Sequence, residues 1–236
     1  MRLDKFLSNM GKGSRTDVKK MITKGLVSVD GDIIRKVGFN VDPDKNEICV
    51  NGELISFEKH VYLIMNKPKD VISARQDKVH KTVIDLLNGY GNRKLFPVGR
   101  LDIDTEGMLL ITDDGQWNHD LMNPKKHVSK IYYAHIEGRV DEEDVKAFSE
   151  GLILKDDSLC KPADLKILSS GEISKIELTI SEGKYHQVKR MFASRGKRVL
   201  YLKRIQIGGL RLDDSLELGE FRDLTSEEMK KIKLEA

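Results

Sequence analysis

Residues 99–115 read GRLDIDTEGMLLITDDG. The stretch holds five acids (Asp102, Asp104, Glu106, Asp113, Asp114) and one base, Arg100. The run Met108–Ile111 is apolar and strand-like, and polar, glycine-bearing segments flank it. Three readings of the acids compete. Positions 102, 104, 106, 107 and 113 echo a calcium-loop spacing, which needs oxygen ligands and a glycine for a sharp turn. That reading fails on three counts: a Glu stands at the fifth position, a short Asp at the twelfth, and a β run fills the middle. In the second reading, Asp104, Thr105 and Glu106 turn into the strand and Asp113, Asp114 and Gly115 turn out of it. This leaves Asp102 unexplained between Leu101 and Ile103. In the third, Asp102 is chemical: a carboxylate can attack a sugar carbon or an electron-poor ring carbon. Such an acid needs a cation close by, and the basic segment KYHQVKR, 184–190, can supply one.

Outward from this stretch, the chain runs to 236 residues, 39% of them hydrophobic, enough for one large domain or two smaller ones. No apolar run approaches the ~18 residues of a membrane span, and the start MRLDKFLSNMGKGSR lacks a signal-peptide core, so a cytoplasmic protein is expected. Cys49 and Cys160 have no local partner and read as small buried hydrophobes. The six histidines form no metal-ligand spacing, and no dinucleotide glycine fingerprint or Walker loop is present. The net charge of +3 hides an asymmetry. Residues 184–211 hold nine bases (Lys184, Lys189, Arg190, Arg195, Lys197, Arg198, Lys203, Arg204, Arg211) and no acid, and residues 1–25 hold seven bases against two acids. Two basic segments point to phosphates and so to nucleic acid; the alternative is a solvated lysine-rich face.

Residues 1–50 read as a small unit. LDKFLSNM has helical apolar spacing, and SRTD at 14–17 is a capping-box start to a second helix that stops at Gly25. Asp30-Gly31 and Asn51-Gly52 are hairpin turns. After residue 57 the pattern becomes α+β. Strands are expected in HVYLIMNKP, KLFPVG, GMLLITDDG, VSKIYYAHIEGRV, ISKIELTISEG and RVLYLKRIQIGG. Helices are expected in TVIDLLNGYG, QWNHDLMNP, DEEDVKAFSEGL and YHQVKRMFASRG.

Two resemblances follow. RLDKFLS, SRTDVKKMITKGLVSVDG and IIRKVGFNV are similar to the RNA-binding domain named for ribosomal protein S-four, the αL motif. That resemblance implies RNA contacts from Arg2, Arg15, Lys19, Lys20 and Lys24. The segments LIMNKPKDVISA, FPVGRLDIDTEGMLLITDDGQWNH, SKIYYAHI, KPADLKIL, ISEGKYHQVKRMFASRGKRVLYLKRIQIGGL and LELGEFRDLTSEE resemble, in order, the RsuA family of pseudouridine synthases. It implies an RNA-binding domain over 1–57 and a catalytic domain over 58–236, built on a mixed, mainly antiparallel sheet. It also implies isomerisation of uridine to pseudouridine in small-subunit (16S) ribosomal RNA, usually at uridine-516, with no metal, nucleotide or redox cofactor.

By the same resemblance Asp102 is the essential acid and Tyr132 stacks on the target base, while Tyr133 faces the other side of the strand. Lys189 matches the basic partner of the aspartate, with Arg190, about 100° around the helix, as competitor. Arg100, Lys184, His186, Gln187 and Arg190 are expected at the RNA. Ribosomal RNA, bare or partly assembled, is the expected partner; no membrane is expected. A monomer is expected because no coiled-coil heptads occur. Large-subunit (23S) RNA is the alternative substrate. A non-catalytic ribosome assembly factor and a two-carboxylate glycoside hydrolase using Asp102 with Asp104 or Glu106 are the readings of other classes.

Overall fold

The computed structural model describes residues 1–55, 60–90, 93–123 and 126–233. The expected boundary at 57/58 lies outside them. The chain divides into two compact units, Met1–Val61 with Leu87–Leu95, and Tyr62–Leu86 with Phe96–Ala236.

In the first unit, α1 (Leu3–Asn9) and α2 (Arg15–Thr23) accompany a sheet of order β2-β1-β3-β4, from β1 (Val27–Val29), β2 (Asp32–Ile33), β3 (Ile48–Val50) and β4 (Glu53–Leu54). Local chemistry sets each boundary. The Ser14 hydroxyl accepts from the Asp17 amide while the Asp17 carboxylate accepts from the Ser14 amide, a complete capping box. Asp30 (φ 52°) and Gly31 (φ 89°), like Asn51 (φ 53°) and Gly52 (φ 81°), adopt the positive φ that two-residue primed turns require. Leu3, Phe6, Leu7, Val18, Ile22, Val27 and Ile48 bury the apolar faces together.

In the second unit the sheet order is β13-β5-β7-β11-β8-β10-β9, with β6 paired to β7 and β12 to β11. The strands are β5 (Tyr62–Lys67), β6 (Phe96–Val98), β7 (Glu106–Thr112), β8 (Lys130–Glu137), β9 (Asp164–Ser169), β10 (Ile173–Ile180), β11 (Arg198–Ile207), β12 (Leu210–Arg211) and β13 (Phe221–Asp223). Among the described residues β7–β11 is the parallel pair and the other pairs are antiparallel. The helices are α3 (Gly115–Met122), α4 (Glu142–Glu150), α5 (Gln187–Ser194) and α6 (Ser226–Lys233). α4 packs on β9 and α5 on β11, and Phe148 meets Phe192 at 4.9 Å between ring centres. The mixed, mainly antiparallel α+β architecture is therefore the expected one.

The elements differ from expectation in places. TVIDLLNGYG forms only a 3₁₀ turn, Ile84–Leu86. The Asp85 carboxylate accepts from the Thr82 amide and hydroxyl, and Leu87–Leu95 belongs to the first unit. β9, β12, β13 and α6 were not anticipated. Cys160 is buried as expected, but Cys49 is only half-buried on β3.

The nine bases of 184–211 are mostly committed within the protein. Asp144, fully buried on α4, accepts from Arg195 at 3.0 Å and Lys197 at 2.6 Å. Arg198 forks onto Glu137, and Arg190 reaches Asp156 at 2.5 Å. The charge run thus marks long-range pairing more than a free phosphate-binding face. Among the described residues no helix is long and apolar enough to cross a membrane.

Candidate active site

The loop between β6 and β7 carries Gly99–Thr105, and buried groups fix its backbone. The Ser73 hydroxyl donates to the Leu101 carbonyl at 2.9 Å and accepts from the Leu101 amide at 3.0 Å. Lys67, at the end of β5, is fully buried. Its ammonium donates to the carbonyls of Pro68 (3.0 Å), Asp102 (3.1 Å) and Thr105 (3.0 Å). Burial pulls its proton affinity down to about 8, against the opposing pull of Asp104, Asp102, Glu106 and Asp70. The loop enters β7 through Gly107 (φ 101°), where a Cβ would stand 2.3 Å from the Arg204 carbonyl. Only glycine lets β7 lie this close to β11.

On this loop the Asp102 carboxylate sits half-buried, with the Lys189 ammonium 3.0 Å from Oδ2 and His186 Nε2 3.5 Å from Oδ1. The same ammonium reaches Asp104 Oδ1 at 2.5 Å. Burial raises the Asp104 carboxyl, but the bond and charge of Lys189 outweigh it and the net direction is down. Burial likewise lowers Lys189, and its bonds to Asp104 and Asp102 reverse that. Arg190 points elsewhere, to Asp156 and the Tyr185 carbonyl. Helix geometry separates the two neighbours: one turn of α5 delivers Lys189 to the loop and Arg190 to the segment before β9.

Asp102 and Lys189 border a cavity of about 890 Å³, ample for a nucleoside. Tyr132, Leu202 and Arg204 line it from the sheet, with Lys130 and Ile180 beside them. Tyr132 is 8% exposed, while Tyr133 turns to the opposite face, where its hydroxyl lies 2.9 Å from His135 Nε2. Exposed Arg100 lies at the cavity, as do Lys184 and His186. His186 takes a left-handed conformation (φ 48°) just before α5, and its ring stacks on that of exposed Tyr185 at 3.8 Å. Gln187 is buried and has a joining role: it accepts from the Lys184 amide and donates to Glu182. Lys184 donates to the Leu159 carbonyl and pairs with Glu182.

Two further acids of 99–115, Asp114 and Glu106, build structure. Asp114 caps α3, accepting from the Gln116 and Trp117 amides at 3.0 Å. Glu106 lies inside β7 and not in a preceding turn, a correction to the turn reading; it accepts from the Tyr201 hydroxyl at 2.7 Å. The β7 strand also removes the loop that a calcium site would need. In the first unit Arg15, Lys19, Lys20 and Lys24 are exposed and outside ion-pair distance of any described acid. Arg2 instead forks onto buried Asp4 at 2.9 and 3.0 Å. Sequence reasoning missed Lys67, Ser73, Thr105, Lys130 and Arg204 as site-shaping residues. The polar pair Asn66-Lys67 closing the apolar run YLIM was the one available signal, and it pointed to Lys67 alone.

Residues 61–194 match the family described as RNA pseudouridylate synthase, and residues 1–48 match the S4 domain. The RNA pseudouridine synthase YtzG of Bacillus subtilis is 46% identical over 232 residues, covering 97% of each chain. The ribosomal small subunit pseudouridine synthase A of Escherichia coli (strain K12) is 40% identical over 230 residues, covering 97% of this chain and 98% of that one. A crystal structure of a pseudouridylate synthase superposes with a TM-score of 0.69 at 37% identity, covering 98% of this chain and 99% of that one. With both domains matched and relatives at 40% identity or more along nearly its whole length, the chain belongs to the RNA pseudouridine synthases of the RsuA type.

Proposed function

We propose that this enzyme isomerises one uridine of small-subunit (16S) ribosomal RNA, at the position equivalent to uridine-516, in the cytoplasm and as a monomer. The observation that carries the reading is the Asp102–Lys189 pair, 3.0 Å apart, at a cavity walled by Tyr132. The small-subunit target is supported by the naming of relatives 40% identical over nearly the whole chain. Asp102 is the essential acid and Lys189 its counter-charge, which a carboxylate needs in a partly dry pocket. Attack on the sugar, attack on the base and removal of a sugar proton all use that carboxylate. Tyr132 offers a flat face on which a pyrimidine stacks, and a base must leave its helix to reach it. Arg100, Lys184 and His186 are assigned to RNA at the cavity mouth, while Gln187, which is buried, and Arg190, which pairs with Asp156, hold the segment that carries them. Residues 1–57 are assigned to a second RNA contact through Arg15, Lys19, Lys20 and Lys24, with Arg2 held on Asp4.

The test is incubation of the purified protein with unmodified 16S and 23S RNA, each bare and partly assembled. Pseudouridine is mapped by chemical blocking and reverse transcription, with Asp102→Asn as control. One new stop in 16S RNA, absent with the variant, is expected. A stop only in 23S RNA overturns the substrate, and tight binding without a stop turns the assignment toward an assembly factor.

A further inference from the structure

Arg204 is a cation in an unusual position. It is 2% exposed, lines the cavity beside Tyr132, and forms no ion pair among the described residues. Its Nε donates to the Met108 carbonyl at 2.7 Å, while its terminal NH2 nitrogen is buried with no hydrogen-bond partner. Its guanidinium is a planar fork of donors with no acceptor of its own. Burying a charge with an unmet donor costs several kcal/mol in general, so this donor calls for a partner.

The surroundings identify that use. Arg204 and Tyr132 are direct partners across β11 and β8, so both side chains leave the same face of the sheet. A base entering the cavity at Tyr132 therefore meets Arg204 on the same face of the sheet. Thr105, 1% exposed, lines the same cavity and also has an unpartnered side-chain oxygen, Oγ1. Lys130 adds a second cation to the wall, held down to about 8 by burial first and by Arg204 second. The wall therefore presents donors, and the two acids lining the cavity are engaged elsewhere, Asp102 by Lys189 and Glu182 by Lys184 and Gln187.

We infer that the free NH2 of Arg204 donates to a carbonyl oxygen of the flipped uracil while Tyr132 stacks on the ring. Uracil carries carbonyls at C2 and C4. Cytosine carries an amino group at C4, which would bring donor against donor. Contact at O4 makes Arg204 the residue that rejects cytosine; contact at O2 makes it an anchor common to both pyrimidines. This inference rests on the proposed isomerisation of uridine in RNA.

The experiment pairs Arg204→Met with single-atom changes in the RNA. Oligonucleotides carrying the mapped target as uridine, 2-thiouridine or 4-thiouridine are compared by kcat/KM, because sulfur is the weaker acceptor. Wild-type enzyme is expected to lose roughly 10- to 100-fold on one thio-substrate, the range of a charge-assisted hydrogen bond. R204M is expected to lose a similar factor on uridine and to show no further loss on that thio-substrate. A general loss of packing would lower all three substrates together. Thermal melting checks the fold; if R204M does not fold, Arg204→Lys takes its place, with a reduced thio effect expected. Equal thio effects in wild type and variant, or none in wild type, overturn the inference. Wild type that converts no RNA overturns the function on which it rests, which the uridine control shows separately.

Discussion

The two basic segments of this protein look alike as charge counts and behave differently in the fold. On α2, Arg15, Lys19, Lys20 and Lys24 are all exposed, and no described acid lies within ion-pair distance. Between 184 and 211 most bases have internal partners: Arg195 and Lys197 on Asp144, Arg198 on Glu137, Arg190 on Asp156, and Lys189 on Asp102 and Asp104. Free charge attracts phosphate; paired charge locks a fold or tunes a site. The contrast separates charge left facing solvent on α2 from charge spent inside the fold between 184 and 211.

The largest effect that separates the regions is expected at Asp144. Asp144→Ala leaves Arg195 and Lys197 facing a buried gap, and a loss of about 3–5 kcal/mol in denaturant unfolding is expected. A near-neutral result would mean that these bases are free after all. Next, replacing Lys19, Lys20 and Lys24 together by Gln is expected to weaken RNA binding by about 10²-fold at low salt. The slope of log K against log salt is expected to fall by about one for each lysine that touches a phosphate. The melting temperature is expected to hold. An unchanged slope would remove the first unit from the RNA interface.

Lys67 gives a pH test of a cation used inside the site. Its folded value of about 8 lies below its ordinary 10.5. Between those values the unfolded chain holds the proton more than the folded one, so this group makes stability rise with pH across that window. The stability difference between wild type and Lys67→Met, measured from pH 8 to 10.5, is expected to grow in favour of wild type. A flat difference would contradict the burial of the ammonium. The smallest effect is expected for Arg198→Gln: its pair with Glu137 is largely exposed, so stability is expected to change by less than about 1 kcal/mol.

What was legible in the sequence follows the range of the interaction. The first unit was read through local chemistry: the Ser14–Asp17 box and the Asp30-Gly31 and Asn51-Gly52 turns act within four residues. TVIDLLNGYG misled because its apolar spacing is helical, while Leu87–Leu95 packs with the first unit. In the second unit, Asp102, Tyr132 and Lys189 were named through resemblance, and the fold brings all three to one cavity. Lys67 and Arg204 were not legible. Their importance comes from burial and from partners 35 and more positions away, which no local period records.

The role of Asp102 as the reacting acid, with Lys189 3.0 Å away as its counter-charge, is the core of the proposed function. Its most direct test is single-turnover conversion of 16S RNA by wild type and Asp102→Asn at saturating enzyme, with binding measured on the same samples. Binding within about threefold of wild type and conversion reduced by ~10³-fold or more are expected, as for loss of a reacting group. Conversion by Asp102→Asn at near the wild-type rate would contradict that role.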